Sequence, residues 1–525
     1  MQIKAKISSV IKTLTFFFKE LKEIKAGGPP PSVEELQFSE FFSEIKKKYP
    51  LDRSASEILL IPLINDIAMM KIVVELGYKI ASEQCLLVKY FYIHTAVDHP
   101  VPTIKYLAVL QYLKAKLLFG PKRLMPIYKI RNRDILISNY FRPKSLINFE
   151  QTFQTKNELI LWEHKGALLG DIIYDHYLRF MKKPTVDLQD RSLYCIIDYS
   201  KSMVIKWKEL LSSKPIKKIL LPYTAYLHWG IPSRVALSSN IEVITYGSSI
   251  YMLSKLNNNH PYHSKDYSLY RNIFNNLDSK DRRLKSAHTS LLNRLEGGID
   301  LGTAYMKRSA FHDNASADFS IEEGKPSAVV FLHCFFDSPH IYGFCIFPDF
   351  YEWIRFLLDA TEANPGINYY VKPHPNGLPD NDAIITQLVE RYKNCKNIKF
   401  IDKSISNKQI LEQRPAAIFT VYGTVAHEFA YQGIPVITAG ENPHSPYKFL
   451  YNPKTPAELN TFISTIGKFG LPKDYDQNEI IEFFYMHYMY YSSIFEQDNF
   501  DFSKDFSNGT IFLPENVSVN DLMFN

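Results

Sequence analysis

Two short stretches carry side chains whose types and spacing suit a phosphorylated ligand. One is Tyr369-Tyr370-Val371-Lys372-Pro373-His374-Pro375-Asn376, and the other, about fifty residues on, is Phe419-Thr420-Val421-Tyr422-Gly423-Thr424-Val425-Ala426-His427-Glu428. Each is an apolar strand running into a polar turn. A phosphate calls for backbone N–H donors, a hydroxyl and a cation, and a helix start supplies the first with a favourable dipole. Gly423 permits close backbone approach, and Thr424 is expected to cap the next helix and offer its hydroxyl. Glu428, one turn further on the same face, suits ribose hydroxyls. Pro373 and Pro375 hold His374 in a rigid turn beside Lys372. A third strand end, His333-Cys334-Phe335-Phe336-Asp337-Ser338-Pro339-His340, adds two histidines and an aspartate placed to orient one of them. Together these residues point to a nucleotide-linked donor. His333, Asp337, His340 and His374 are metal-ligand types, but their spacing matches no metal motif and no metal is expected.

Group transfer also needs a base for the acceptor hydroxyl. Asp171 follows Gly170, whose lack of a side chain lets a ligand come close, and is the first candidate. Asp175 lies one helical turn on and shares its face. The competing structural roles are an N-cap for Asp171 and an ion pair with Arg179 for Asp175. Glu163 with His164 forms the next candidate base and orienter. His228 and Arg234 are candidates to contact the anionic part of a sugar, although Arg234 also suits a surface ion pair. Asp380-Asn381-Asp382 falls at a helix start and reads as capping.

The elements that position these groups alternate. In the second half a strand at 328–332 is followed by a helix near 350–362, a strand at 367–372, a helix near 381–393 and a strand at 397–401. A helix near 406–413, a strand at 416–421, a helix near 424–432 and a strand at 434–438 complete the series. Such alternation predicts a parallel sheet covered on both faces, with ligands beyond the carboxyl ends of its strands. The first half opens with a strand over Ile58 to Ile64. Asn65-Asp66 then caps a helix ending near Gly77, and a second βαβ-like pattern has a strand at 217–222, a helix at 231–239 and a strand at 241–245. From 252 to 325 the chain is polar and weakly periodic, with loops at Asn257 to Asn259 and Ser316 to Gly324, so the domain boundary is placed near 325. The tail from 478 carries Phe483, Phe484, Tyr485, Tyr488, Tyr490, Tyr491 and Phe495. A helix with that many aromatics must pack on something.

At 525 residues, with 46% hydrophobic and 22% charged, the chain can bury two cores. Its net charge of +6 comes from scattered basic residues, which argues against a nucleic-acid partner. Five cysteines without CxxC spacing argue against a disulfide framework or structural zinc and favour a reducing compartment. No apolar run approaches the roughly 20 residues of a spanning helix. Lysines at 4, 6, 12, 19, 22 and 25 interleave with apolar residues before the break at Gly27-Gly28-Pro29-Pro30-Pro31. This basic amphipathic segment suits packing on its own domain or, alternatively, an anionic leaflet.

The Lys-Pro-His-Pro turn, the Gly-Thr-x-x-x-Glu helix start and the trailing Ala430-Tyr431-Gln432-Gly433-Ile434-Pro435-Val436 resemble bacterial capsule and surface-polysaccharide glycosyltransferases of the GT-B fold. The likeness is nearest to those using CMP-activated sugars such as Kdo or sialic acid, and it covers about 327–467. Weaker likenesses lie in Leu169-Gly170-Asp171-Ile172-Ile173-Tyr174-Asp175-His176-Tyr177-Leu178-Arg179 and in Tyr226-Leu227-His228-Trp229-Gly230-Ile231-Pro232-Ser233-Arg234-Val235-Ala236-Leu237. The resemblance implies an α/β chain of two Rossmann-like domains facing across a cleft, with a C-terminal helix crossing back. The segments would be a basic amphipathic stretch at 1–31, an acceptor domain at 32–325, a nucleotide-sugar donor domain at 326–475 and a crossover helix and tail at 476–525. It implies that His374 and Thr424 grip the donor phosphate, with Pro375, Lys372, Gly423, Glu428, His333, Asp337 and His340 around them.

The activity so implied is an inverting, metal-independent glycosyl transfer from a nucleotide-sugar donor, CMP-linked favoured, to a surface glycan or lipid-linked glycan. Its place would be the cytoplasm, with peripheral association at the inner face of the cytoplasmic membrane. Competing expectations are a CDP-alditol glycerol- or ribitol-phosphate transferase, a nucleotide-sugar 2-epimerase and a non-catalytic scaffold. The epimerase is disfavoured because its paired glutamates are replaced here by His427-Glu428.

Overall fold

The computed structural model describes residues 32–490 apart from 65, 94–124, 126–127, 140–151, 247–252, 301–302, 304–308, 313–317, 376 and 379, together with residues 18, 22, 518, 519, 523 and 524. The basic N-terminal segment, apart from residues 18 and 22, lies outside the described residues, as do Asn65, Ser316, Asn376, Tyr491 and Phe495.

After helix α1 (Val33–Lys48), strand β1 (Ile58–Pro62) is apolar and buried at every position, as expected of a central strand in a parallel sheet. Asp66 caps helix α2 (Ile67–Glu83) by accepting from the Met69 N–H, and strands β2 (Leu87–Ile93) and β3 (Ile135–Asn139) follow. The helix continues past Gly77, where it was expected to end. A Cβ there would lie 3.1 Å from the Ile61 side chain, so the glycine lets the helix settle close onto β1.

A two-residue hairpin, β4 (Glu163–His164) and β5 (Ala167–Leu168), leads into α3 (Gly170–Met181) and α4 (Arg191–Ser213). Strand β6 (Ile216–Leu221), α5 (Tyr226–Leu237), β7 (Glu242–Thr245) and β8 (Leu253–Lys255) complete this unit. Helix α5 starts five residues before the expected 231, because Pro232 is carried inside it.

Helix α6 (Lys280–Leu295) occupies the stretch expected to be polar and weakly periodic. It buries only Ala287, Leu291 and Arg294, which explains its faint pattern. The second sheet then begins. Strand β9 (Ser327–Phe331), α7 (Phe350–Glu362), β10 (Asn368–Lys372), α8 (Asn381–Tyr392) and β11 (Ile398–Phe400) run in alternation. They are followed by α9 (Asn407–Glu412), β12 (Ala417–Phe419), α10 (Val425–Tyr431) and β13 (Val436–Ile437). Helix α11 (Gln477–Phe484) and a last strand β14 (Met523–Phe524) come after them.

The first sheet has the order β14-β8-β7-β6-β1-β2-β3 and the second β11-β10-β9-β12-β13. In the second sheet every pairing is parallel, and the order reverses direction between β9 and β12. The first sheet reverses in the same way between β1 and β6, with β8 antiparallel to β7. These are two Rossmann-like units. The chain crosses back, since α11 packs against α6 and β14 pairs with β8 of the first sheet. The architecture is GT-B.

The second sheet buries its two faces in different cores. Ala328, Val330, Tyr369, Val371, Phe419 and Ile437 point into a core of the second unit's own. The alternate residues Val329, Phe331, Tyr370, Ile418 and Val436 join the core that contains the first unit's interior, α6 and α11. Helix α6, which precedes the boundary suggested by the strand pattern, meets the second unit through Arg294 and His288, which face Glu428 and Tyr431 of α10.

Candidate functional site

The reversal between β9 and β12 opens a crevice at the strand ends, and three polar turns meet there. His333, two residues past β9, accepts at Nε2 from the Val421 N–H at 3.2 Å and lies 3.1 Å from the Thr420 hydroxyl. Its ring stacks on Phe350 at 4.6 Å. Burial, with the neighbouring His374 adding, pushes its pKa down to about 3, so His333 is neutral and fixes the turn after β12. Gly423 packs within that turn, its N–H donating to the Thr420 hydroxyl at 3.2 Å.

Lys372, at the end of β10, is buried and donates to the Asn407 side-chain oxygen at 3.0 Å. Burial lowers its pKa to about 8, partly offset by Glu428. His374 is half-buried, and burial lowers its pKa against the opposing pull of Asp337. Asp337 and Pro375 are exposed beside it. Thr424 does not cap α10 as expected. Its backbone is already helical and its side chain makes no capping bond.

Glu428 is buried, not solvated. Its Oε1 lies 3.7 Å from Arg294 on α6, and its Oε2 has no partner among the described residues. Burial raises its pKa to about 7, with Arg294 and the Thr424 hydroxyl pulling the other way. Because the folded-state pKa is above the ordinary 4.5, the folded protein holds this proton more tightly than the unfolded chain. Stability from this group is therefore full below about 4.5 and is lost as pH rises through 7, by up to about 3 kcal/mol. Glu428→Gln is expected to flatten the stability curve between those limits, measured by urea unfolding at half-unit pH steps. An unchanged slope would refute the assignment.

A second group bridges the two units. Helix α3 places Asp171 and Asp175 one turn apart, both buried. Gly170 matters here for backbone reasons. A Cβ at Gly170 would lie 1.7 Å from the Leu159 carbonyl oxygen, so what comes close is the chain's own backbone, where the sequence suggested a ligand. Gly170→Ala is expected to cost about 3 kcal/mol or more in a urea titration, at the upper end of overpacking effects.

Asp171 accepts from Arg234 Nη2 at 2.6 Å and from the Ile172 N–H at 2.8 Å. Arg234 is thus not a surface residue. It sits 4% exposed, with Nε and Nη1 unpartnered among the described residues and its guanidinium over the Tyr262 ring at 5.2 Å.

Asp175 pairs with His340 of the second unit, not with Arg179. His340 Nδ1 lies 2.5 Å from Asp175 Oδ1, and its backbone N–H points at Oδ2 from 3.4 Å. The His340 Nε2 is buried without a partner among the described residues. Burial raises the Asp175 pKa to about 6, with His340 pulling it down and Asp171 adding to the rise. At His340 burial opposes the charge, but Asp175 outweighs it and the pKa is raised. The residue before Asp175 reinforces the bridge: the Tyr174 hydroxyl donates to Asp349 Oδ2 at 2.5 Å, and Thr185 donates to the same oxygen at 2.6 Å.

The expected residues thus fall into two neighbouring groups. Lys372, His374, His333, Asp337, Gly423, Thr424 and Glu428 gather at the second sheet's strand ends, while Asp171, Asp175, Arg234 and His340 form the bridge. His228 is buried beside the bridge unit's Tyr223, whose hydroxyl lies 3.3 Å from Nε2, and burial takes its pKa down to about 3. Glu163 is exposed on the β4–β5 hairpin. Asp380 does not cap α8; it pairs with Lys182 at 2.9 Å, and Asn381 accepts from the Phe335 N–H. Sequence reasoning missed Arg294, Asn407, Tyr174 and Asp349. The first lay in a charged segment with no motif, and the others gain meaning only from partners far along the chain.

Neither a family model nor a curated protein matches the chain. Among solved structures it is similar to a beta Kdo 2,4 transferase KpsC of Thermosulfurimonas dismutans, with 12% identity over 52% of this chain and 79% of that one, at a TM-score of 0.33. A beta Kdo 2,7 transferase KpsC of the same organism gives 16% identity over 58% and 84%, at 0.30. Anabaena HepE, in complex with UDP and glucose, gives 13% identity over 82% and 94%, at 0.26. At these scores no residue is assigned by superposition, and the architecture stands on the two strand orders. Among the described residues no helix is long and apolar enough to cross a membrane, and no three potential ligands converge on a metal site.

Proposed function

We infer that the chain is a glycosyltransferase that moves a sugar from a nucleotide donor, CMP-linked and acidic by the motif resemblance, to a glycan acceptor. The observation that carries this reading is the Asp175–His340 bond, an acid–base pair with one member from each unit, beside the strand-end crevice. Lys372 and His374 supply the positive charge and the N–H donor for a leaving phosphate, with Gly423 and Thr424 beside them. Glu428 offers its unpaired oxygen to ribose hydroxyls. Asp175 holds His340 Nδ1–H, leaving Nε2 as the acceptor of a proton.

In the transfer, the acceptor oxygen gives its proton to Nε2 and attacks the anomeric carbon. The bond from that carbon to the phosphate oxygen breaks, its electron pair stays on phosphate, and the configuration inverts. No metal is assigned a role, and Arg234 holds Asp171 in place behind the pair.

The test is a panel of CMP, CDP, CDP-glycerol, UDP and GDP. The preferred nucleotide should stabilise the protein by about 2.7 kcal/mol at a hundredfold excess over its Kd. His374→Ala and Thr424→Ala should each abolish most of that stabilisation in thermal denaturation. If no nucleotide stabilises the chain, the transferase reading fails; a response to CDP-glycerol alone would replace sugar transfer by alditol-phosphate transfer.

A further inference from the structure

A cleft of about 880 Å³ lies between the two units, outside both groups described above. One wall is the 257–268 loop, with Asn258, Asn259, Tyr262 and Asp266; the other is formed by Tyr342, Gly343 and Phe344, with Glu441 at its edge. We propose that this cleft is a subsite for the acceptor chain away from its reacting hydroxyl and that it takes a neutral oligosaccharide, with Phe344 as a stacking platform and Asn258 and Asn259 as hydroxyl readers. Its role as an acceptor subsite rests on the transferase reading; the binding chemistry does not.

The composition of the walls argues for a sugar chain. A sugar ring presents an apolar C–H face and a rim of hydroxyls that both donate and accept. Phe344 is 59% exposed and offers an apolar ring at the cleft wall. Asn258 and Asn259 are exposed, and their side chains make no hydrogen bond among the described residues. Amides donate and accept at once, which matches a hydroxyl rim. The volume is within the range of ligand sites that bury most of their occupant.

Charge then narrows the class. Asp266 and Glu441 are carboxylates, and the lining holds no lysine or arginine. One Glu441 oxygen is paired with Lys454 at 2.7 Å, but that lysine is not in the lining. An anionic glycan would meet like charge there, at a cost of several kcal/mol for close juxtaposition. The acidic sugar thus belongs at the strand ends with Lys372 and His374, and the cleft suits its neutral counterpart.

Location supports the pairing of the two. Tyr262 lines the cleft and is also the ring beneath Arg234. Tyr342 lines it and packs edge-on against Tyr422 at 4.9 Å, which itself packs against His333 at 4.8 Å. One ring therefore separates the cleft from the acid–base bridge, and two separate it from His333. A Cβ added at Gly343, whose φ is +100, would lie 3.5 Å from the Tyr262 ring, so the two walls come near each other there.

The experiment uses the full chain on a glycan array. It carries neutral tri- to hexasaccharides of glucose, galactose and N-acetylhexosamine beside Kdo-terminated and polysialic oligosaccharides. Neutral members should bind, acidic ones should stay at background, and Phe344→Ala and the double Asn258→Ala/Asn259→Ala variant should each weaken binding at least tenfold. Nucleotide thermal shifts in both variants should match those of the unaltered protein, which also shows that they fold. Binding of acidic members at or above the neutral ones overturns the proposal, as does no neutral binding or an unaffected Phe344→Ala. Phe344-dependent glycan binding without any nucleotide response would keep this site and remove the transferase reading; nucleotide response without glycan binding would do the reverse.

Discussion

Replacing Arg294 by methionine is expected to destabilise the protein by about 3–5 kcal/mol, the cost of leaving buried charges without their partner. Arg294 is 1% exposed and donates to both oxygens of Asp300, at 2.6 and 2.7 Å. It also faces Glu428 at 3.7 Å, donates to His427 Nε2 at 3.2 Å and lies over the rings of Tyr488 and Phe484 at 4.2 and 4.7 Å. One guanidinium thus joins α6, α10 and the segment around α11. The measurement is a urea unfolding midpoint for Arg294→Met and for the triple variant with Asp300→Asn and Glu428→Gln. The triple variant should recover part of the loss, since the carboxylates are then neutral. A single-variant loss below about 1 kcal/mol would show that the cluster is solvated.

Asp175→Asn carries the largest expected effect on turnover. It preserves shape but removes the charge that holds His340 Nδ1–H, so kcat should fall about 10²- to 10⁴-fold, the usual contribution of general acid–base catalysis. His340→Gln should cost a similar factor, and the double variant little more, because the two act as one unit. Nucleotide stabilisation should persist in all three. Steady-state rates with the preferred donor check this; multiplicative losses in the double variant would mean that the residues act separately.

The second unit was legible in the sequence because its signal is local. Its strands and helices each read as one apolar run or one amphipathic turn, and their order follows from strict alternation. The turns around His333, His374 and Gly423 were legible for the same reason, since strand ends are where such sheets bind ligands. The pairings were not. Asp171 with Arg234 and Asp175 with His340 join residues 63 and 165 positions apart, and nothing in the spacing of α3 reveals them. Glu428 was expected to present its face to ribose hydroxyls, and its burial against Arg294 was not foreseen. The packing of α6 over α10, invisible in a segment with three buried residues, turned that face inward.

The division of the second sheet's faces between two cores has a consequence for synthesis. Val329, Phe331, Tyr370, Ile418 and Val436 belong to one buried cluster with Ile480 to Tyr488, a segment that a ribosome makes after all five strands of that sheet. During translation this cluster stays incomplete until that segment emerges, and unfinished apolar surface is where nascent chains associate wrongly. A ribosome stalled before residue 477 would hold all five strands with the cluster on one face still unfinished. The last piece to join is β14, which then pairs with β8 of the first sheet.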